Sequence, residues 1–408
     1  MTQGPDPAKR LMDVAEARSL MLAGIKSLGS EPVPLVSALG RVLAQPITAS
    51  RDQPPFAVSA MDGYAVRSSD TPGLVTVIGE SGAGHGFAGR CEAGAAVRIF
   101  TGAPVPEGAD GIVIQEDVRR EGDRVEVPAV AAGHFIRRQG IDFTAGTTLL
   151  EKGRVLDGVG IGLAAASGAA TLSVARRPKV TILSSGDELA VPGETPGPWQ
   201  IFDSATYGLA GLIASWGGEA RRLAVAKDDM AAIARAAENG VAGGDLLLLV
   251  GGASVGDHDL ARPALMRLGL AMMVGKVAVR PGKPTWFGIT PQGPVLGLPG
   301  NPASALVCAH LFLKPLLLAM QGREPDPRFL RAHLARPLPA NASREHYLRA
   351  GLRPDKDGRL TVNAFEDQDS SLISVFAAAN ALIRLMPDAP AQEQGALVDV
   401  LLLGEGPC

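Results

Sequence analysis

Four short turns hold many of the side chains in this sequence that could do chemistry, and each mixes glycine with charged or polar groups. They are Ser184-Ser185-Gly186-Asp187-Glu188, the run 251–259 (GGASVGDHD), Pro281-Gly282-Lys283-Pro284 and Pro299-Gly300-Asn301-Pro302. Asp187, Glu188, Asp257 and Asp259 are hard oxygen donors of the kind that hold Mg²⁺ together with a phosphate. Lys276, Arg280 and Lys283 are cations available to an anion. A helix opening at Pro302 would add unpaired N–H groups and its positive dipole end. Glycine lets the backbone approach a ligand closely. Taken singly, the carboxylates could be capping residues, and Lys276 and Arg280 a solvated strand face. Isolated caps, however, have no reason to gather with cations at one edge, and that is where the surrounding elements place them.

Each turn follows an apolar run read as a strand: 179–183, 245–250, 276–280 and 295–298. Helices are expected at 203–216, after a cap at Asp228 or Asp229, at 260–268 and from Asn301 onward. A further strand is expected at 221–226, and 286–289 pairs with 295–298 across the turn at 291–293. Strands alternating with helices predict a mostly parallel, doubly wound sheet, and ligands bind such sheets outside the carboxyl ends of the strands. All four turns then share one rim, suited to a phosphate-bearing small molecule with a divalent metal.

Other chemistries fit less well. Residues 251–259 are not a phosphate-binding P-loop, because no Gly-Lys-Ser/Thr follows. No Gly-x-Gly-x-x-Gly opens a helix after a strand. The six histidines form no metalloprotease or triad pattern. His258 and His310 read as ordinary structural residues.

Elsewhere, apolar spacings of three and four predict an amphipathic helix over 10–28 and a short one over 35–43. Between 46 and 144, short β-rich runs at 74–78, 96–100, 111–115 and 124–127 alternate with turns, which predicts a small β-rich domain. Residues 145–175 are rich in Gly and Ala. After a linker at 323–327, the runs 346–352, 359–362 and 396–403 predict a final small β domain.

The chain has 408 residues, a formal net charge of −3 and a pI near 6.1. That length suits two to four domains. No global basic field draws it to nucleic acid or to an anionic membrane, so an anionic ligand needs a local cluster of cations. The apolar stretch 306–320 is interrupted by His310, Lys314 and Pro315 and falls short of the ~20 residues a membrane span needs. Cys91, Cys308 and Cys408 form no CxxC. A reducing cytoplasm fits best.

The strings are also similar to a known family. Residues 184–189 (SSGDEL), 251–259 (GGASVGDHD), 280–284 (RPGKP) and 298–305 (LPGNPASA) resemble the molybdopterin molybdotransferases, a family that includes the E domain of gephyrin. Residues 59–67 (SAMDGYAVR), 100–104 (FTGAP) and 136–140 (IRRQG) with Asp142 match it in the same order, and the resemblance runs from about 10 to 400.

The resemblance implies four domains: a discontinuous helical linker domain (1–45 plus 145–177), an inserted β-rich domain (46–144), an α/β molybdopterin-binding domain (178–325) and a small β-barrel-like domain (326–408). It implies molybdenum insertion into adenylylated molybdopterin, giving molybdenum cofactor and AMP with Mg²⁺. It further implies a homodimer whose active site is shared between subunits, and transient contact with the pterin adenylyltransferase. Among its matching positions, Asp187, Glu188, Asp257 and Asp259 would hold the metal. Asp62, Asp142, Glu188, Asp259, Lys276 and Arg280 would serve catalysis. Thr101, Asp228, Ser254, Lys283, Pro284, Pro299, Asn301, Pro302, Ser304, Arg349 and Ser371 would bind substrate, with Arg280, Lys283, Pro284, Ser304, Arg349 and Ser371 forming a molybdate pocket. The sequence departs from the family pattern at Arg280, where Lys is frequent, at Ser185, where Thr is usual, and at Asp203 and Ala205, where an Asn-Ser-Asn run is expected. The alternatives are a pterin adenylyltransferase and a non-catalytic pterin-binding scaffold.

Overall fold

The computed structural model describes residues 10–251 and 260–404. Ser254, Asp257 and Asp259 lie outside them. The chain divides into two compact units, Met1–Glu31 with Ala175–Cys408, and Pro32–Val174.

In the first unit a six-stranded sheet runs in the order Glu219–Arg222, Lys179–Ser184, Leu246–Val250, Gly293–Leu298, Trp286–Thr290, Ala271–Val274. Neighbours among the first four are parallel, and the last two pairings are antiparallel. Leu246–Val250 is buried throughout, as a strand covered on both faces must be. Its alternate residues serve two cores. Leu246, Leu248 and Val250 pack with helices Ala205–Ser215 and Pro302–Cys308. Leu247 and Leu249 pack with Met230–Ala242 and Ala261–Met266. Asp229, rather than Asp228, caps Met230–Ala242, accepting the Ala232 N–H at 2.7 Å.

The helix from Pro302 runs on to Met320, with a π-helical stretch at Ala309–Leu313. Pro315 accounts for that stretch, because its ring would collide with the carbonyl one ordinary turn back and a wider turn relieves the clash. The 19-residue helix is long and apolar enough to span a membrane, but 83% of its most apolar window is buried inside the protein. His310 lies within it, 2% exposed and without a hydrogen-bond partner on either ring nitrogen. Burial, reinforced by Lys314, pushes its pKa down to about 3. The unfolded chain therefore takes up this proton below about pH 6.5 while the folded chain refuses it. Stability is fully present above that value and is lost as pH falls toward about 3. His310→Phe should flatten the fall by about 1.4 kcal/mol per pH unit across this window, checked by urea unfolding at pH 7, 6 and 5. An unchanged slope would exclude His310 as its source.

Two sequence expectations are corrected in this unit. The run 276–280 is not a strand of the α/β sheet. Lys276–Val277 pairs with Leu11–Met12, and Val279–Arg280 pairs with Glu345–Pro354. The edge strand of the sheet is Ala271–Val274, a continuous apolar segment of weaker β propensity. The expected helix over 10–28 is confined to Val14–Ala23, where Asp13 caps it through the Glu16 N–H. Its Val14, Ala17 and Met21 join the α/β core.

Beyond Pro327, five strands close a barrel: Glu345–Pro354, Leu360–Ala364, Phe329–Leu334, Leu397–Leu402 and Ala381–Leu385, which returns to pair with the first.

In the second unit a six-stranded sheet runs Gly111–Ile114, Gly63–Val66, Ala95–Ile99, Gly73–Ser81, Arg124–Val127, Arg119–Glu121. Asp157 caps helix Gly158–Ala166, which packs with Leu43, Ile47, Leu150 and Val174. The helix expected over 35–43 shrinks to a 3-10 turn at Leu35–Ser37, since Gly40 takes a left-handed φ of 70° and ends the helical path.

Candidate functional site

Three of the four chemistry-bearing turns meet at the carboxyl ends of adjacent parallel strands. Lys179–Ser184 leads into Asp187 and Glu188, Leu246–Val250 into Gly251, and Gly293–Leu298 into Pro299 and Gly300. Gly251 lies between the other two: a Cβ on it would stand 3.1 Å from the Ser185 carbonyl, and one on Gly300 would stand 3.4 Å from the Gly251 Cα. Asp187 and Glu188 are exposed. The backbone N–H of Asp228 approaches Asp187 Oδ1 at 3.5 Å.

The fourth turn comes to the site by another route. Paired with the barrel strand, Val279–Arg280 delivers Arg280 and Lys283 to a pocket of about 700 Å³. Pro284, Pro299, Asn301 and Ser304 line it as well. The turn is fixed from within: the Val277 N–H donates to the Lys283 carbonyl at 3.1 Å, and the Thr285 hydroxyl donates to the Gly282 carbonyl at 2.8 Å. Gly282 has φ 122°, and a Cβ there would lie 2.1 Å from Cys308 Sγ. Gly282→Ala should therefore cost about 2–3 kcal/mol from overpacking and left-handed strain, seen as a lowered midpoint in thermal unfolding. An unchanged midpoint would show that Cys308 can move aside. Burial pushes the Cys308 thiol up to about 12, so it stays protonated.

The far wall of the pocket is a barrel loop containing Glu366, Asp367, Gln368, Asp369 and Ser370. Asn301 Nδ2 donates to Ser370 Oγ at 2.7 Å, and the Ala303 N–H donates to the Ser370 carbonyl at 3.1 Å. The start of the Pro302 helix is thus stitched to this loop. Ser370 lines the pocket, whereas Ser371, the residue singled out in the sequence, turns to Asp369, donating to its Oδ1 through both N–H and hydroxyl. Those bonds hold the Asp369 carboxyl below the usual carboxylate range.

Arg349 stands behind the wall. It is 1% exposed, donating from Nε to Gln368 Oε1 at 3.1 Å and from Nη1 to the Asp369 carbonyl at 2.7 Å. Lys276 is half-buried beside Leu11 and is not among the described residues lining the pocket. Sequence reasoning missed Arg344, His346 and the acidic wall. The run Glu366-Asp367-Gln368-Asp369, just before the singled-out serine, was the available signal. Asp203 is also structural: 3% exposed, it accepts from the Thr206 N–H and hydroxyl and so anchors the following helix.

In the second unit, three of the recognised strings come together. Val58–Ser59 pairs with Ile136–Arg137, and Ser59 exchanges backbone bonds with Gly102 and Ala103. Asp62 Oδ1 accepts from the Thr101 N–H at 2.7 Å and its hydroxyl at 2.9 Å, which lowers the Asp62 pKa. Asp142 is exposed nearby in sequence, its N–H bonded to the Gln53 carbonyl.

Residues 12–168 match the MoeA N-terminal region (domain I and II), and residues 331–403 match the MoeA C-terminal region (domain IV). The stretch between, 181–319, matches the probable molybdopterin binding domain. The chain belongs to the MoeA family. A molybdopterin molybdenumtransferase from Haemophilus influenzae is 34% identical over 384 residues, 92% of this chain and 94% of that one. One from a Nostoc species is 37% identical over 332 residues, 78% of this chain and 76% of that one. The MoeA crystal structure from Pyrococcus horikosii superposes with a TM-score of 0.85 at 31% identity, covering 96% of this chain and 99% of the other. The α/β domain and the closed small barrel described above are those of the MoeA architecture.

Among the described residues, no three His, Cys, Asp or Glu side chains gather as a metal site. Asp187 and Glu188 nevertheless suit Mg²⁺ as a donor set, because that ion keeps most of its waters and takes one or two carboxylates plus substrate phosphate.

Proposed function

We propose that this MoeA-family chain inserts molybdenum into adenylylated molybdopterin, releasing molybdenum cofactor and AMP. One observation carries the reading: Arg280, Lys283, Asn301 and Ser304 line one pocket, in a chain similar over nearly its whole length to molybdopterin molybdenumtransferases. Molybdate is a dianion repelled by the phosphates of its co-substrate, and cations are what bring the two together. Arg280 offers a planar two-donor fork and Lys283 a point charge. Ser304, buried at the helix start, adds a hydroxyl donor. Holding the oxyanion and the dithiolene in line removes much of the entropic barrier to their reaction.

Asp187 and Glu188, with Asp257 and Asp259, are assigned to Mg²⁺, which would neutralise the phosphate link. Asp228 and Ser254 are assigned to the nucleotide side. The reading includes a homodimer in which Asp62, Thr101 and Asp142 complete the partner's active site, transient contact with the adenylyltransferase that supplies the substrate, and a cytoplasmic setting in keeping with the free Cys91 and Cys308.

The deciding experiment measures AMP release from adenylylated molybdopterin with Mg²⁺, with and without molybdate, alongside reconstitution of a molybdoenzyme apoprotein. Molybdate-stimulated release with active reconstitution is expected. Consumption of ATP would point to an adenylyltransferase, and tight binding without turnover to a scaffold.

A further inference from the structure

In the second unit, strand Ala95–Ile99 sends Val97 and Ile99 into one core and Arg98 to the opposite face of the sheet. Arg98 is half-buried there. It lies opposite Tyr64 on the neighbouring strand, and Phe100 follows two residues on, so the three side chains are neighbours. The guanidinium carbon stands 5.1 Å from the Tyr64 ring centroid and 4.8 Å from that of Phe100. Nη1 donates to the Gly63 carbonyl at 3.0 Å, and Nη2 donates to Gln115 Oε1 at 2.5 Å.

Three of these contacts border the pair formed by Asp62 and Thr101. Gly63 follows Asp62, the Gln115 N–H donates to the Asp62 carbonyl at 3.2 Å, and Phe100 precedes Thr101. Arg98 thus grips both segments that carry the pair, one through hydrogen bonds and the other through an aromatic ring. Within the pair both Thr101 bonds fall on Asp62 Oδ1, and among the described residues Oδ2 takes none. Those bonds, reinforced by the Arg98 charge, hold the Asp62 carboxyl below the usual carboxylate range. A role in the fold alone does not account for the arginine. Among the described residues it forms no ion pair, and desolvating an unpaired charge costs free energy that a neutral donor to the same two oxygens would avoid.

We propose that Arg98 is a positioning residue, fixing Asp62 and Thr101 as one rigid tip and keeping Asp62 Oδ2 as an acceptor for substrate. That role presupposes that both residues take part in molybdenum insertion. Its mechanical half does not need turnover: the tip loosens when the guanidinium is removed, whatever the tip then acts on. Lysine keeps the charge and the ring contacts but loses the two-pronged reach to Gly63 and Gln115, so it holds the tip only in part.

Hydrogen–deuterium exchange of the full chain without substrate tests the mechanical half. In Arg98→Met the Thr101 amide should exchange about tenfold faster relative to the amides of Arg124–Val127 in the same sheet, with Arg98→Lys between. If Arg98→Met speeds both sets alike, the whole sheet has loosened, and Arg98→Lys decides by the same ratio. An unchanged ratio in the deciding variant overturns the proposal. Single-turnover AMP release with molybdate and Mg²⁺, which slow variants also allow, tests the route to the chemistry. Arg98→Met should slow it about tenfold in the wild-type background but less than about twofold beside Asp62→Asn, because the effect travels through that carboxylate. A full loss beside Asp62→Asn overturns the proposal as well. Absent AMP release from wild type with a shifted exchange ratio would discard the insertion reaction and keep Arg98 as the support of the tip. Active wild type with an unchanged ratio would discard the Arg98 role alone.

Discussion

Arg280→Met should weaken molybdate binding about 100-fold while leaving thermal stability nearly unchanged. Arg280 is exposed on the wall of the Lys283 pocket, held there by pairing with His346. Hydrogen bonds to charged groups contribute about 1.5–3 kcal/mol each, which at the upper end corresponds to roughly two orders of magnitude in affinity. An exposed side chain outside any core costs the fold within about 0.5 kcal/mol when replaced. Arg280→Lys keeps the charge and loses the fork, so an intermediate affinity is expected. Calorimetric titration with molybdate checks the series, and a dissociation constant within about threefold of wild type for Arg280→Met would remove this residue from the oxyanion site.

Arg349→Met should instead damage stability and molybdate binding together. Its guanidinium is nearly inaccessible and ties the pocket wall to the barrel through Gln368 and the Asp369 carbonyl. Removing it loses both charged hydrogen bonds, although Gln368 Oε1 keeps the backbone N–H of residue 349 and the Asp369 carbonyl keeps the Leu372 N–H; at about 1.5 kcal/mol each the expected cost is about 3 kcal/mol. For a folding unit of this size that lowers the unfolding midpoint by roughly 6–10 °C. Molybdate affinity falls as the wall loosens. Arg349 is on this account a positioning residue, and the paired readouts separate it from Arg280. Lost affinity with an unchanged midpoint would mean that Arg349 contacts the anion itself.

The two arginines also show how far the site could be read from sequence. Both stood among the expected oxyanion residues, and nothing in their spacing distinguishes a wall residue from its support. That difference arises from the path of a barrel strand. The acidic wall and His346 went unread for the same reason, since they lie on a barrel whose closure pairs Glu345–Pro354 with Ala381–Leu385.

What the sequence determined by itself is local or periodic. Leu246–Val250 is legible because a strand covered on both faces must be apolar throughout. Met230–Ala242 is legible because the side chain of Asp229 satisfies an N–H three residues on. The turns after the parallel strands are legible as a ligand rim because the sheet's polarity places every such turn on one side. Tertiary structure decided which strand takes which edge. The run Lys-Val-Ala-Val-Arg at 276–280 has the stronger β propensity, yet the sheet edge went to Ala271–Val274. Backbone hydrogen bonding is indifferent to sequence, so a short β-prone segment takes whichever exposed edge the packed cores bring to it. Here those edges were Leu11–Met12 and the barrel, and that choice set Arg280 and Lys283 in their pocket.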